Sequence, residues 1–179
     1  KVGTNNAQGE KYLTDVLALA RADGGLVSAF AIDDWWQTEG VNDKVQLATL
    51  GAVLNARTAE KWMRAGVTIV DPASTWIDVD VSIGADTVIR PGTHVLGATT
   101  IGSGAIIGPE VTITDSEIGD RAHVRRAEVE LAVVAHDATV GPYSYLRAGT
   151  ELGPAGKIGG FVETKNAKIG PGAKGPHLT

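Results

Sequence analysis

From Ile77 onward every sixth residue is aliphatic: Ile77, Ile83, Ile89, Val95, Ile101, Ile107 and Ile113 fall in register without a miss. This period belongs neither to an α-helix, whose side chains repeat every 3.6 residues, nor to an ordinary strand, where they repeat every 2. Ile, Leu and Val are 43 of the 179 residues, so six further matches after the first would arise by chance roughly once in five thousand trials. The beat slips by a residue on the way from Ile113 through Ile118, Val124 and Val129 to Val134, then returns to six at Val140, Leu146, Leu152 and Ile158. Thr164 is off type and Ile169 resumes the series. We read the slips as bulged corners.

A strict short repeat fixes the architecture before any propensity argument. Six residues make one short side, and three sides make a coil of about 18 that stacks on the next through parallel ladders about 4.8 Å apart. Residues 77–179 then give roughly five to six coils. A small residue follows the aliphatic one in Ile83-Gly84, Ile101-Gly102, Ile118-Gly119 and Val140-Gly141, as a tight corner requires, and 16 of the 23 glycines lie beyond residue 76. An antiparallel sandwich is the competing fold. It would show period-two alternation with turn signals every 8–12 residues, not a six-residue beat.

Composition changes near Val70-Asp71, which predicts two parts. Upstream, Glu10 to Ala22 places Leu13, Val16, Leu17 and Ala20 on one helical stripe before Gly24-Gly25. Leu26 to Ile32 alternates as a strand, and Val41 to Ala65 returns to helical spacing through Leu47, Leu50, Leu54 and Trp62. Residues 1–40 are too few for a complete α/β domain and read as the last helix and strand of a larger sheet. The chain begins with Lys1 and its final coil stops at Thr179 without a cap, so we expect an internal segment of a longer protein.

The net charge of −5 argues against non-specific nucleic-acid binding. Residues 121–179 nevertheless carry eight Lys/Arg against five Asp/Glu. That balance suits an anionic small ligand on the last coils, or simply a solvated face with a mild bias. The absence of cysteine fits the cytosol and excludes a disulfide scaffold. No apolar stretch reaches membrane-spanning length, and no signal peptide is seen.

Polar residues that stand out from the repeat gather near the end: Arg147, Lys165, Asn166 and His177. Arg147 and Lys165 are 18 apart, one full coil, so they are expected one above the other. Two cations stacked so closely repel unless an anion joins them, and a phosphate suits an arginine fork and a lysine point charge. Two exposed basic residues without a ligand fit the spacing equally well. His177 lies twelve residues after Lys165, near that column but on another face, as a structural histidine or as a base for proton abstraction. His94, His123 and His136 have no partners at metal-site spacing. Asn42 or Asp43 is expected to cap the long helix. Asp33-Asp34-Trp35-Trp36 reads as a surface turn, and no phosphate-cradling glycine loop, nucleophile triad or dinucleotide fingerprint occurs.

Several segments together carry a resemblance: Asn6-Ala7-Gln8-Gly9-Glu10-Lys11-Tyr12-Leu13-Thr14-Asp15, Glu39-Gly40-Val41-Asn42, Ala65-Gly66-Val67 with Asp71-Pro72, Tyr145-Leu146-Arg147, Gly160-Phe161-Val162-Glu163-Thr164-Lys165-Asn166 and Pro176-His177-Leu178-Thr179. In this order they resemble the bacterial bifunctional N-acetylglucosamine-1-phosphate uridyltransferase/glucosamine-1-phosphate N-acetyltransferase family. The resemblance implies a mainly β chain. Residues 1–41 would be the tail of a Rossmann-like uridyltransferase domain, 42–70 a linker helix and connection, and 71–179 a left-handed parallel β-helix acetyltransferase domain. It implies a cytoplasmic homotrimer of cell-wall precursor synthesis that takes glucosamine-1-phosphate and acetyl-CoA, then couples N-acetylglucosamine-1-phosphate to UTP with Mg²⁺.

Carried over by position, Arg147 and Lys165 match the clamp on the sugar phosphate, His177 the general base, and Asn42 a Mg²⁺ ligand rather than a cap. In this family other residues of both sites lie before the position of Lys1 or beyond that of Thr179, so the resemblance implies that this stretch alone has neither activity. Two competing functions remain at this stage. One is a sugar-nucleotide pyrophosphorylase whose β-helix is structural or regulatory, and the other is a non-enzymatic trimerising β-helix.

Overall fold

The computed structural model describes residues 1–178 and divides them into two compact units, 1–40 and a second beginning at Val41. In the second unit the six-residue beat becomes a three-walled parallel solenoid of about six turns. The first wall has seven strands and runs from Thr68–Ile69 to Lys174–His177. The second wall has six, from Trp76–Ile77 to Glu163–Thr164, and the third has six, from Ser82–Ile83 to Lys168–Ile169. All strand pairs are parallel, and like positions stack: Ile89 on Ile107 on Val124 on Val140 in the first wall, Ile77 on Val95 on Ile113 on Val129 in the second.

The aliphatic series fills the interior. Ile89, Val95, Ile107, Ile113, Val124, Val129, Val140 and Leu146 are fully buried. A second column, two residues ahead of the first, has no counterpart in the sequence reading: Thr75, Thr87, Thr93, Thr99, Ala105, Ser116, Ala122, Ala132, Ala138, Ser144 and Thr150 are all buried. Val81 and Val111 hold the same position before Ile83 and Ile113, but most of its side chains are small. Their hydroxyls answer backbone groups that the turns leave unpaired. Thr87 Oγ1 donates to Gly102 O at 2.7 Å, Thr93 Oγ1 to Arg90 O at 2.7 Å, and Ser144 Oγ to Gly159 O at 2.5 Å.

The slips are not bulges. A bulge adds a residue to a strand, whereas here a corner loses one: Leu96 pairs with Thr114, but Thr100 pairs with Glu117. The strands on either side keep their register, so the inside and outside of the prism are undisturbed. Small residues after the aliphatic position serve close approach between coils. A Cβ on Gly119 would stand 2.4 Å from the His136 nitrogen, nearer than packing allows.

The long helix, α2 (Lys44–Arg64), forms as its spacing predicts, but it buries a different stripe. Asn55, Thr58 and Ala59 face the first coils while Leu47 and Leu54 are exposed. Asn55 explains the choice: its Nδ2 donates to Thr75 O at 2.7 Å and its Oδ1 accepts from Ile77 N at 3.0 Å, closing the first rung of the second wall. The solenoid also begins earlier than residue 71. Thr68–Ile69 pairs with Val88–Ile89, offset from the six-residue beat by a single 3₁₀ turn at Pro72–Ser74.

In the first unit, α1 (Asp15–Ala22) is shorter than the predicted Glu10–Ala22 helix, and a 3₁₀ turn at Trp35–Thr38 holds the stacked rings of Trp35 and Trp36. The predicted strand at 26–32 is absent. A strand needs a ladder partner for its amides, and none lies beside it among the described residues.

Candidate active site

Leu146 pairs with Thr164, and the Arg147 amide donates to Thr164 O at 2.9 Å. Arg147 and Lys165 therefore follow each other at the same vertex, one coil apart, where the second wall ends. Leu146 points inward, so its neighbours Tyr145 and Arg147 point out and are half-exposed, and Lys165 is exposed.

The outward groups form a charged network. Arg147 Nη1 donates to Glu163 Oε1 at 2.7 Å, and the Arg147 guanidinium lies 5.8 Å from the Tyr145 ring centre. Tyr145 donates its hydroxyl to Glu130 Oε2 at 2.8 Å. Glu163 raises the Arg147 pKa by hydrogen bonding, and Glu130 raises that of the Tyr145 phenol in the same way. This changes the sequence argument. The stacked cations do not require an external anion, because Glu163 supplies a carboxylate to Arg147 from within the chain.

His177 ends the last strand of the first wall and pairs with Gly160. It is exposed at the vertex where the first wall turns into the second, next to Phe161, whose ring stacks on Tyr143 at 5.2 Å. The basic pair and the imidazole thus stand at opposite ends of one wall, roughly 15 Å of extended chain apart. A groove of about 520 Å³ on that wall is lined by Arg126, Tyr143, Tyr145, Phe161 and Glu163. Asn166 has a local duty: it takes a left-handed conformation at φ 48°, which asparagine tolerates, and its amide donates to Ala148 O at 3.1 Å.

Asn42 lies exposed just ahead of α2. Asp43 is the cap, accepting from Gln46 N at 2.7 Å, while Gln46 Oε1 accepts from Asn42 N at 2.7 Å. The Asn42 side chain is therefore not the cap. Mg²⁺ takes six oxygens in near-octahedral geometry. Asn42 offers one, and no group of three or more His, Cys, Asp or Glu suited to a metal occurs among the described residues. The residues described here do not make a Mg²⁺ site by themselves.

Sequence reasoning gave no role to Glu163, Tyr145 or Glu130. A signal existed: Glu163 lies 16 residues after Arg147, the same separation as in Arg126–Glu110 and Arg121–Asp137, which also form ion pairs between coils at 2.8 and 2.7 Å.

A family model described as bacterial transferase hexapeptide (six repeats) matches residues 80–115. Relatives named bifunctional protein GlmU align along the chain: 63% identical over 179 residues in Mycolicibacterium vanbaalenii, 56% over 179 in Kineococcus radiotolerans and 51% over 177 in Micrococcus luteus. The chain is homologous to a part of the GlmU proteins. It spans 36% of the length of each of these GlmU relatives. Among solved structures, the acetyltransferase domain of PglB from Neisseria gonorrhoeae FA1090 in complex with acetyl coenzyme A is 16% identical, with a TM-score of 0.37 over 94% of this chain and 91% of that one. No helix of the described residues is long and apolar enough to cross a membrane.

Proposed function

We propose that the solenoid carries the sugar-phosphate end of an acetyltransferase site of the GlmU type, acting on glucosamine-1-phosphate with acetyl-CoA as donor. The observation that carries this reading is the vertex column of Arg147 and Lys165, one coil apart at one end of the second wall, with His177 beside the other end and a groove on the wall between them. The arginine fork and the ammonium bind the phosphate oxygens. His177 takes a proton from the substrate amine as the nitrogen attacks the thioester carbonyl and coenzyme A thiolate departs. Glu163 holds Arg147 in place and yields it to the phosphate.

In the same reading the winding is left-handed, the protein is a cytoplasmic homotrimer, and a second site couples N-acetylglucosamine-1-phosphate to UTP. At that site Asn42 contributes one Mg²⁺ ligand, the ion neutralising phosphate charge when bound. The test is made in the protein at the full length of its relatives. His177→Ala is expected to slow acetyl transfer about a hundredfold or more and leave uridyl transfer unchanged. Arg147→Ala is expected to raise KM for the sugar phosphate more than it lowers kcat. Unchanged acetyl transfer in the His177 variant overturns the reading.

One observation favours a second reading, in which the prism is a structural part of a sugar-nucleotide pyrophosphorylase. The Arg147–Glu163 pair belongs to a series with Arg126–Glu110, Arg121–Asp137 and Lys168–Glu151, all of them bridges between adjacent coils. Under that reading Glu163→Gln leaves the KM for sugar phosphate where it was.

A further inference from the structure

The first wall differs from the other two in the charge it presents outward. Its outward positions run Val88, Ile106, His123, Thr139, Lys157 and Lys174, with no carboxylate, whereas the second wall carries Glu128 and Glu163 and the third Glu117 and Glu151. At the end of this wall the stacked order Ile89, Ile107, Val124 puts Arg90, Gly108 and Arg125 in one column. The two arginines are thus two coils, about 10 Å, apart, and the position between them has no side chain. Arg90, Gly108, Arg125 and His123 line a hollow of about 200 Å³, whose remaining walls are Ile106 and Val124.

No Asp or Glu lines this hollow. The contrast with the rest of the solenoid is direct. Arg121, Arg126 and Arg147 each reach a carboxylate on an adjacent coil, while Arg90 and Arg125 line one hollow from the coils on either side of Gly108. Gly108 also cannot be filled in: a Cβ there would stand 2.6 Å from Thr93 Oγ1 and 2.9 Å from Arg90 Cβ, at φ +101°. The gap between the two arginine positions is built into the coil.

We propose that this hollow is an anion site for a single phosphate group, either inorganic phosphate or a phosphate monoester, distinct from the vertex of Arg147 and Lys165. Two guanidinium forks approach from opposite coils and present paired N–H donors to the oxygens. The His123 ring adds a donor from the side. A phosphate between two arginines about 10 Å apart at the backbone needs no backbone movement, since each side chain spans about half that distance.

The test titrates the chain at fixed ionic strength with inorganic phosphate and, separately, with glycerol 3-phosphate, following the backbone amides of residues 106–108 and 123–125 by NMR. A saturable shift is expected there. Tighter binding of glycerol 3-phosphate by tenfold assigns the site to a phosphorylated small molecule, and equal or weaker binding assigns it to free phosphate. Arg90→Gln with Arg125→Gln is expected to weaken binding at least tenfold, while Arg147→Gln with Lys165→Gln leaves it unchanged, which separates this site from the proposed catalytic one. Both arginines are exposed, and an unchanged melting temperature checks that the double variant is folded. Shifts of equal size with chloride, no saturation by 20 mM phosphate (roughly the weakest affinity worth calling a site), or persistence of binding in the Arg90/Arg125 variant overturns the proposal.

Discussion

Residues 1–40 and the solenoid unit start from similar apolar patterns and end in opposite states. Leu26 and Phe30, in a run with clear alternation, are 99% and 90% exposed, whereas Ile107 and Val129 are completely buried. Alternation specifies which side chains a strand would hide. It does not supply the neighbour against which they hide. In the solenoid that neighbour is always the same chain one coil later, so each rung is both pattern and partner.

The largest expected effect of a substitution lies at the centre of the solenoid. Ile107→Ala should cost about 3 kcal/mol, seen as a lowered urea midpoint, because a packed coil above and below prevents collapse onto the cavity. If the loss were under 1 kcal/mol, the solenoid would be no better packed than the first unit. Asn55→Ala should cost about 2 kcal/mol by the same assay, since Thr75 O and Ile77 N would both lose a buried partner. Asp43→Ala removes the cap of α2 and should cost about 1 kcal/mol, with helix content falling by circular dichroism. Leu26→Ser with Phe30→Ser is expected to change the midpoint by less than about 0.5 kcal/mol. Hydrogen exchange sharpens the contrast further: amides of residues 26–32 should exchange in seconds, while those of Ile106 and Val124, both in ladders, stay protected.

The solenoid was legible because its period is independent of tertiary context. A side chain at every sixth position must point to the axis, and nothing outside the repeat alters that. The helix was legible in extent but not in orientation. Its leucines advertise one face, yet the first rung needed an amide that both donates and accepts, and Asn55 supplies it from another. The vertex column of Arg147 and Lys165 followed from a spacing of one coil. Its carboxylate did not, since Glu163 stacks on Tyr145 and reaches Arg147 diagonally, a contact that a one-coil spacing does not express. The spacing of His177 puts it on a different wall from the basic pair, as its strand is, but its distance from them depends on where the corner turns. The Arg90–Gly108–Arg125 column is hidden in the sequence because a shortened corner makes its second step 17 residues rather than 18.

The missing residue at the corner between Thr114 and Glu117 has a wider consequence. Length can be edited at a vertex without penalty to the rungs on either side, whereas the same edit inside a rung would turn every following side chain inside out. What selection must preserve along such a chain is therefore parity within each rung, not the number six. Mutational gaps introduced one residue at a time should be silent at the vertices and ruinous between them.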